Sequence, residues 1–127
     1  MTVLMAYDGK PHTQKALDYA LRYAKAFGET LYIMSVYPSK EWIAELDNIK
    51  SKMDEFVKDA ERSGVKAIAV TESGHPSETI LDAAKRFECD TLIVGRSDKK
   101  TGLDRVVLGS VSNYVVNNAQ CTVIVVE

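Results

Sequence analysis

Thr91-Leu92-Ile93-Val94-Gly95, then Ser110-Val111-Ser112-Asn113-Tyr114-Val115-Val116-Asn117, then Thr122-Val123-Ile124-Val125-Val126: the reading of this succession decides the fold. The two outer runs are short, apolar and rich in β-branched residues, with little polar alternation. Such strands are covered on both faces, the habit of a parallel sheet. The segment between them reads as a helix, and two parallel strands need a crossover of that kind, which is nearly always right-handed.

Strand–helix alternation continues toward the start of the chain. Ala67 to Val70 reads as a strand, and Pro76 suits the first turn of a helix carrying Ile80, Leu81, Ala84 and Phe87. Trp42, Leu46, Ile49, Met53, Phe56 and Ala60 recur at alternating spacings of four and three, one apolar stripe on a long helix that Ser63-Gly64 closes. The stripe suits core packing; its spacing also suits a partner helix. Leu31 to Val36 is a strand ended by Pro38. Leu17, Ala20, Leu21, Ala24 and Phe27 mark a helix that Gly28 stops, and Val3 to Tyr7 is the first strand. The expectation is one α/β domain over residues 1–127: a five-stranded parallel, doubly wound (Rossmann-like) sheet in the order 3-2-1-4-5, with helices on both faces.

Composition agrees. A chain of 127 residues, 46% hydrophobic and 27% charged, suits a single globular core. A formal net charge of −2 gives no electrostatic footprint for nucleic acid or an anionic membrane. The longest apolar runs are too short to span a bilayer. Met1 to Asp8 meets an acid early and reads as a buried strand rather than a signal peptide, so a cytoplasmic location is expected. Cys89 and Cys121 lack metal-ligand spacing and read as small buried hydrophobes, reduced in a cytoplasm.

Ligands of doubly wound sheets bind beyond the carboxyl ends of the strands. The richest such end here runs from Gly95 to Ser112 and finishes with Gly109-Ser110 at a helix start. Unpaired amides there receive phosphates, Gly109 admits a ligand close to the backbone, and Ser110 and Ser112 offer hydroxyls. Lys99, Lys100 and Arg105 add positive charge. A plainer reading also stands: Gly95 makes a turn and Ser110 caps the helix. Asp8-Gly9, after the first strand, is likewise both a good turn and a candidate ligand acceptor. His12 and His75, without an ordered carboxylate or cysteine cluster, make a poor metal site. The chain has no Gly-x-Ser-x-Gly elbow, no P-loop and no dinucleotide fingerprint after the first strand, and Cys89 has no evident base.

Tyr7-Asp8-Gly9, Gly74-His75-Pro76, Leu92-Ile93-Val94-Gly95 and Leu108-Gly109-Ser110-Val111-Ser112 stand in this order along nearly the whole chain. The ordered set resembles the universal stress protein family. The resemblance implies a nucleotide-binding sensor or regulator of the stress response, taking ATP or AMP, with Mg accompanying ATP. It implies a binding protein and not an enzyme, though slow ATP hydrolysis is compatible with it. By position, Asp8 and the backbone at Val36 would hold the adenosine, and Val94, Gly95, Gly109, Ser110, Val111 and Ser112 the ribose and phosphates. A homodimer is also implied: strand 5, Thr122 to Val126, has no charge or proline to protect a sheet edge until Glu127.

The family signature has a second glycine three residues after the first, where this chain has Asp98. The interval to Gly109 is also one residue longer, which brings Lys99 to that glycine's place. Because the family includes members that do not bind ATP, the alternative is a homodimeric interaction module without nucleotide. An ATP-dependent activating enzyme of related α/β fold would need an activation motif that this sequence lacks.

The departure yields a test. Deleting Lys99 together with Asp98→Gly restores the glycine and the spacing, and should strengthen ATP binding by about 1–2 kcal/mol. AMP should gain less, since one phosphate reaches less far into the loop. Calorimetry on both forms with both nucleotides reads the difference; equal ATP affinity would make the departure neutral.

Overall fold

The computed structural model describes residues 1–38, 43–96 and 110–127. In chain order the elements are β1 (Thr2–Ala6), α1 (Pro11–Phe27), β2 (Thr30–Tyr37), α2 (Ile43–Arg62), β3 (Ala67–Ser73), α3 (Pro76–Arg86), β4 (Thr91–Gly95), α4 (Ser110–Asn118) and β5 (Thr122–Val126). The five strands form one sheet in the order β3-β2-β1-β4-β5, and every neighbouring pair is parallel. This is the expected architecture and order.

The alternation of side chains along each strand sorts the core into two layers. Val3, Met5, Leu31, Ile33 and Ile93 point to one face, where α1 contributes Ala16, Leu17 and Ala20 and α2 contributes Met53 and Ala60. Leu4, Met34, Leu92 and Val94 point to the other, against Ile80, Ala83 and Ala84 of α3 and Val115 of α4. Of the apolar stripe from Trp42 to Ala60, the part from Leu46 onward is therefore core packing, and Trp42 lies outside the described residues. Leu4, Met5, Ile33, Leu92 and Ile93 are fully enclosed, and each such side chain contributes about 1.5–3 kcal/mol by leaving water.

One strand end and one burial pattern differ from what the apolar residues alone indicate. β3 continues past Val70 through Thr71-Glu72-Ser73, paired residue for residue with Ser35, Val36 and Tyr37 of β2. It is an edge strand, so polar side chains there cost little, and apolar content alone misses its end. The cover on both faces expected of the two apolar strands β4 and β5 holds only for β4, where every residue is buried. β5, the other edge, is half-exposed or exposed throughout.

One buried group works against the fold at neutral pH. Glu29, just before β2, is only 8% exposed, and its Oε2 has no hydrogen-bond partner among the described residues. Burial, reinforced by the nearby Asp90 carboxylate, pushes the Glu29 carboxyl above its usual range. A carboxyl with a raised folded-state pKa favours folding while protonated; that contribution is lost as pH rises through the folded value. Glu29→Gln should therefore gain stability relative to the parent between about pH 4 and pH 7, on the order of 1 kcal/mol at the upper end. Urea unfolding of both proteins across that range checks it, and a pH-independent difference would sink the account.

Candidate functional site

The strand order reverses between β1 and β4, so the chain leaves the two carboxyl ends in opposite directions and opens a crevice above them. A cavity of about 190 Å³ lies there.

From the β1 side comes the turn Asp8-Gly9-Lys10. Asp8 Oδ1 accepts the Lys10 amide at 2.8 Å and lies 2.8 Å from the Thr13 hydroxyl. That hydroxyl is also 2.8 Å from the Lys10 carbonyl, and its single proton serves one acceptor at a time. These bonds lash the turn to the first turn of α1, where Pro11 needs no amide partner. The turn role of Asp8 is thus observed directly, and it occupies one oxygen. The other, Oδ2, has His12 Nε2 at 3.5 Å, a pair that is charged only when His12 is protonated. Half of the Asp8 side chain remains exposed. Beside it, burial and the Asp8 charge push the Tyr7 phenol up from its ordinary value, so it stays protonated at neutral pH.

β2 contributes backbone. Its odd-numbered residues bond to β3, as when Leu31 donates to Lys66 O and Tyr37 O accepts from Gly74; its even-numbered ones face β1, as when Met34 O accepts from Tyr7. Val36 is the next residue facing that way, past the end of the β1 ladder. The Tyr7 carbonyl accepts from the Ser35 hydroxyl at 2.5 Å, and among the described residues no backbone group meets the N–H or C=O of Val36. Among the described residues these two groups therefore leave a donor–acceptor edge without a backbone partner at the cavity.

β4 and α4 close the remaining side. Gly95 ends β4 against the first turn of α1, so closely that a Cβ would lie 2.9 Å from the His12 carbonyl oxygen. Its role here is close packing with a helix. Ser112 is buried and donates its hydroxyl to the Gly95 carbonyl at 2.8 Å, which ties α4 to the end of β4.

Of the residues singled out by sequence, Asp8, Val36, Val94, Gly95, Val111 and Ser112 converge on this cavity. Ser110 opens α4 from an exposed position and is not among the residues that line it. Lys99 and Gly109 lie outside the described residues, as do Asp98, Lys100 and Arg105. Tyr7, His12, Thr13, Met34, Pro76 and Ile80 also line the cavity without having been assigned to it. His12 carried a usable signal: it stands four residues after Asp8, one turn along a helix that begins between them. Among the described residues, no three His, Cys, Asp or Glu side chains form a group that could hold a metal ion.

The cysteines lie at the opposite end of the sheet. Cys89 is buried and Cys121 partly so, rather than both being enclosed, and both thiols are free. Burial raises both above the ordinary thiol value, which keeps them protonated and weakly nucleophilic. No helix among the described residues is long and apolar enough to cross a membrane.

The model of the universal stress protein family matches residues 1–127. A universal stress protein of Methanocaldococcus jannaschii is 31% identical over an alignment covering 98% of this chain and 81% of the relative. A solved universal stress protein from Archaeoglobus fulgidus, 20% identical, covers 100% of this chain and 98% of its own with a TM-score of 0.86, a likeness of fold. Another, solved in complex with cAMP, is 25% identical, with a TM-score of 0.80 over 100% of this chain and 96% of its own. With the family pattern running from the first residue to the last over this sheet order, the chain belongs to the universal stress protein family.

Proposed function

We propose that this chain is a single-domain, cytoplasmic universal stress protein that binds an adenine nucleotide, ATP or AMP, and acts as a sensor or regulator of a stress response. The observation that carries the reading is the convergence on one cavity of Asp8, whose Oδ2 has His12 Nε2 at 3.5 Å, and Val36, whose N–H and C=O meet no backbone group among the described residues. An adenine base presents an amino donor beside ring acceptors, so it can satisfy a carboxylate oxygen and a backbone edge together. The cAMP complex of the 25% identical relative supports the same ligand class. The ribose would then lie toward Val94, Gly95 and Ser112, and the phosphates toward Ser110 and Val111; the family pattern adds Gly109 and Lys99 to the phosphate end. Mg would arrive with the phosphates of ATP.

The polar groups at the cavity favour holding a ligand over transforming it. Asp8 Oδ1 and the Ser112 proton are already engaged in structural bonds, which leaves neither group whole as a base or nucleophile. The reading is of a binding protein, with slow ATP hydrolysis compatible. β5 favours self-association: its Val123 to Val126 backbone forms a half-exposed edge, suited to antiparallel pairing across a two-fold axis. That edge would serve equally the alternative reading of an interaction module without nucleotide.

Mass spectrometry of nucleotide released from freshly purified, denatured protein, followed by calorimetric titration with AMP and ATP, separates these readings; no binding of either at millimolar ligand favours the module. Within the nucleotide reading, Asp8→Asn keeps an oxygen for Lys10 and Thr13 but turns the other position into a donor that opposes an adenine amino group. It should lower AMP affinity about tenfold, roughly 1.4 kcal/mol, with an unchanged unfolding midpoint. Asp8→Ala should lose affinity and also about 1 kcal/mol of stability, because the turn loses its acceptor. Unchanged affinity in Asp8→Asn would confine Asp8 to the turn. For the assembly, light scattering at tens of micromolar should give twice the 14.1 kDa chain mass, and a monomer mass counts against pairing through β5.

A further inference from the structure

A second cavity, of about 250 Å³, lies on the other face of the sheet at the same carboxyl edge. Tyr7, Asp8, Val36 and Pro76 line both, so the two meet over the ends of β1 and β2. The faces are distinct: Tyr7 packs with the α1 and α2 layer, Val36 with the α3 and α4 layer. Sites for small molecules usually span about 300–1,000 Å³. Neither cavity reaches that size alone; joined, they do.

Their chemistry differs. The first cavity is edged by Asp8, His12, Thr13 and Ser112. The second has walls of Tyr37, Pro38, Leu46 and Ile49, its Ser35 hydroxyl is already spent on the Tyr7 carbonyl, and Lys10 and Glu45 are exposed. Its inner wall depends on Gly9, at φ +80, where an added Cβ would come within 3.2 Å of Ile49 Cγ1; the missing side chain lets α2 close on the turn. Asp8 stands on the threshold between the polar and apolar halves.

Resting on the nucleotide reading above, we infer that the second cavity is a subsite for an apolar group carried on the exocyclic amine of the base, so that the preferred ligand class is an N6-alkyl- or N6-arylmethyl-adenine nucleotide. An amino group bonded to Asp8 Oδ2 sits at the threshold. A secondary amine keeps one N–H for that oxygen, gives up the bond its second N–H would make to the Val36 carbonyl, and sends its substituent across the strand ends, into a space whose walls offer apolar contact and few free polar groups. An unsubstituted adenine leaves that space to water.

The test is calorimetry on the whole chain with AMP and with N6-benzyl-AMP. Burying the benzyl group should make N6-benzyl-AMP bind about tenfold more tightly than AMP. Ile49→Trp, which fills the second cavity, should abolish that preference while leaving AMP affinity within about twofold. Leu46→Phe narrows the same space from the neighbouring turn of α2 and carries the test if Ile49→Trp does not unfold cooperatively. AMP binding with no gain for the benzyl derivative overturns the subsite and leaves the nucleotide reading standing. A gain that persists in the filled variant also overturns it, by locating the group elsewhere. Failure of both ligands at millimolar concentration overturns the two readings together.

Discussion

The absence of a side chain at Gly95 is the constraint on which the site depends. Because nothing projects from its Cα, the His12 carbonyl and imidazole can lie against the end of β4. That approach fixes the first turn of α1, and with it the Asp8 turn that Thr13 holds from the same helix. The Gly95 carbonyl then takes the Ser112 hydroxyl, which fixes α4. Elements from both sides of the switch point are thereby gathered around one residue. A Cβ there would meet backbone rather than a flexible side-chain tip, so the helix itself would have to move, at a typical overpacking cost of about 1–3 kcal/mol.

Asp8 divides its work between its two oxygens. One completes the turn that begins α1; the other has His12 at 3.5 Å, and the residue lines the crevice together with Val36. Structural anchoring restricts the carboxylate to a narrow range of orientations before any ligand arrives, so less rotamer freedom remains to be lost on binding. Deletion of the whole side chain cannot separate the two roles, because stability and recognition pass through the same group.

Much of this was legible in the sequence. Five apolar runs, the first four each followed by a helical stripe, carry the sheet, and the signal is unbroken where a strand is buried on both faces, as β4 is. The signal weakens where burial does: Thr71, Glu72 and Ser73 belong to β3 through backbone pairing alone, and no residue type announces that. Asp8, Val36, Gly95 and Ser112 were found because strand ends can be located and motifs placed on them. The cavity's other walls were not, since Pro76 and Ile80 reach it from a helix on a layer that only the three-dimensional fold brings over β1. The sequence offers the Ser112 hydroxyl to a ligand; that its proton goes to the Gly95 carbonyl depends on an approach between residues seventeen apart.

The position of the crevice also bears on how the chain assembles. β1, β2 and β3 join through neighbouring crossovers, whereas Val3 must find Thr91 across most of the molecule to make the β1–β4 ladder. Loop-closure entropy weighs more heavily on that distant pairing, and topologies rich in such contacts fold slowly. The seam between the two halves of the sheet is therefore the costliest join in the fold, and the crevice lies directly upon it. Asp8 and Gly95 come from opposite sides of that join, so no early fragment of the chain contains a finished pocket. A ligand that prefers the finished pocket acts as a clasp on that seam, holding shut the part of the molecule with the greatest entropic reason to part.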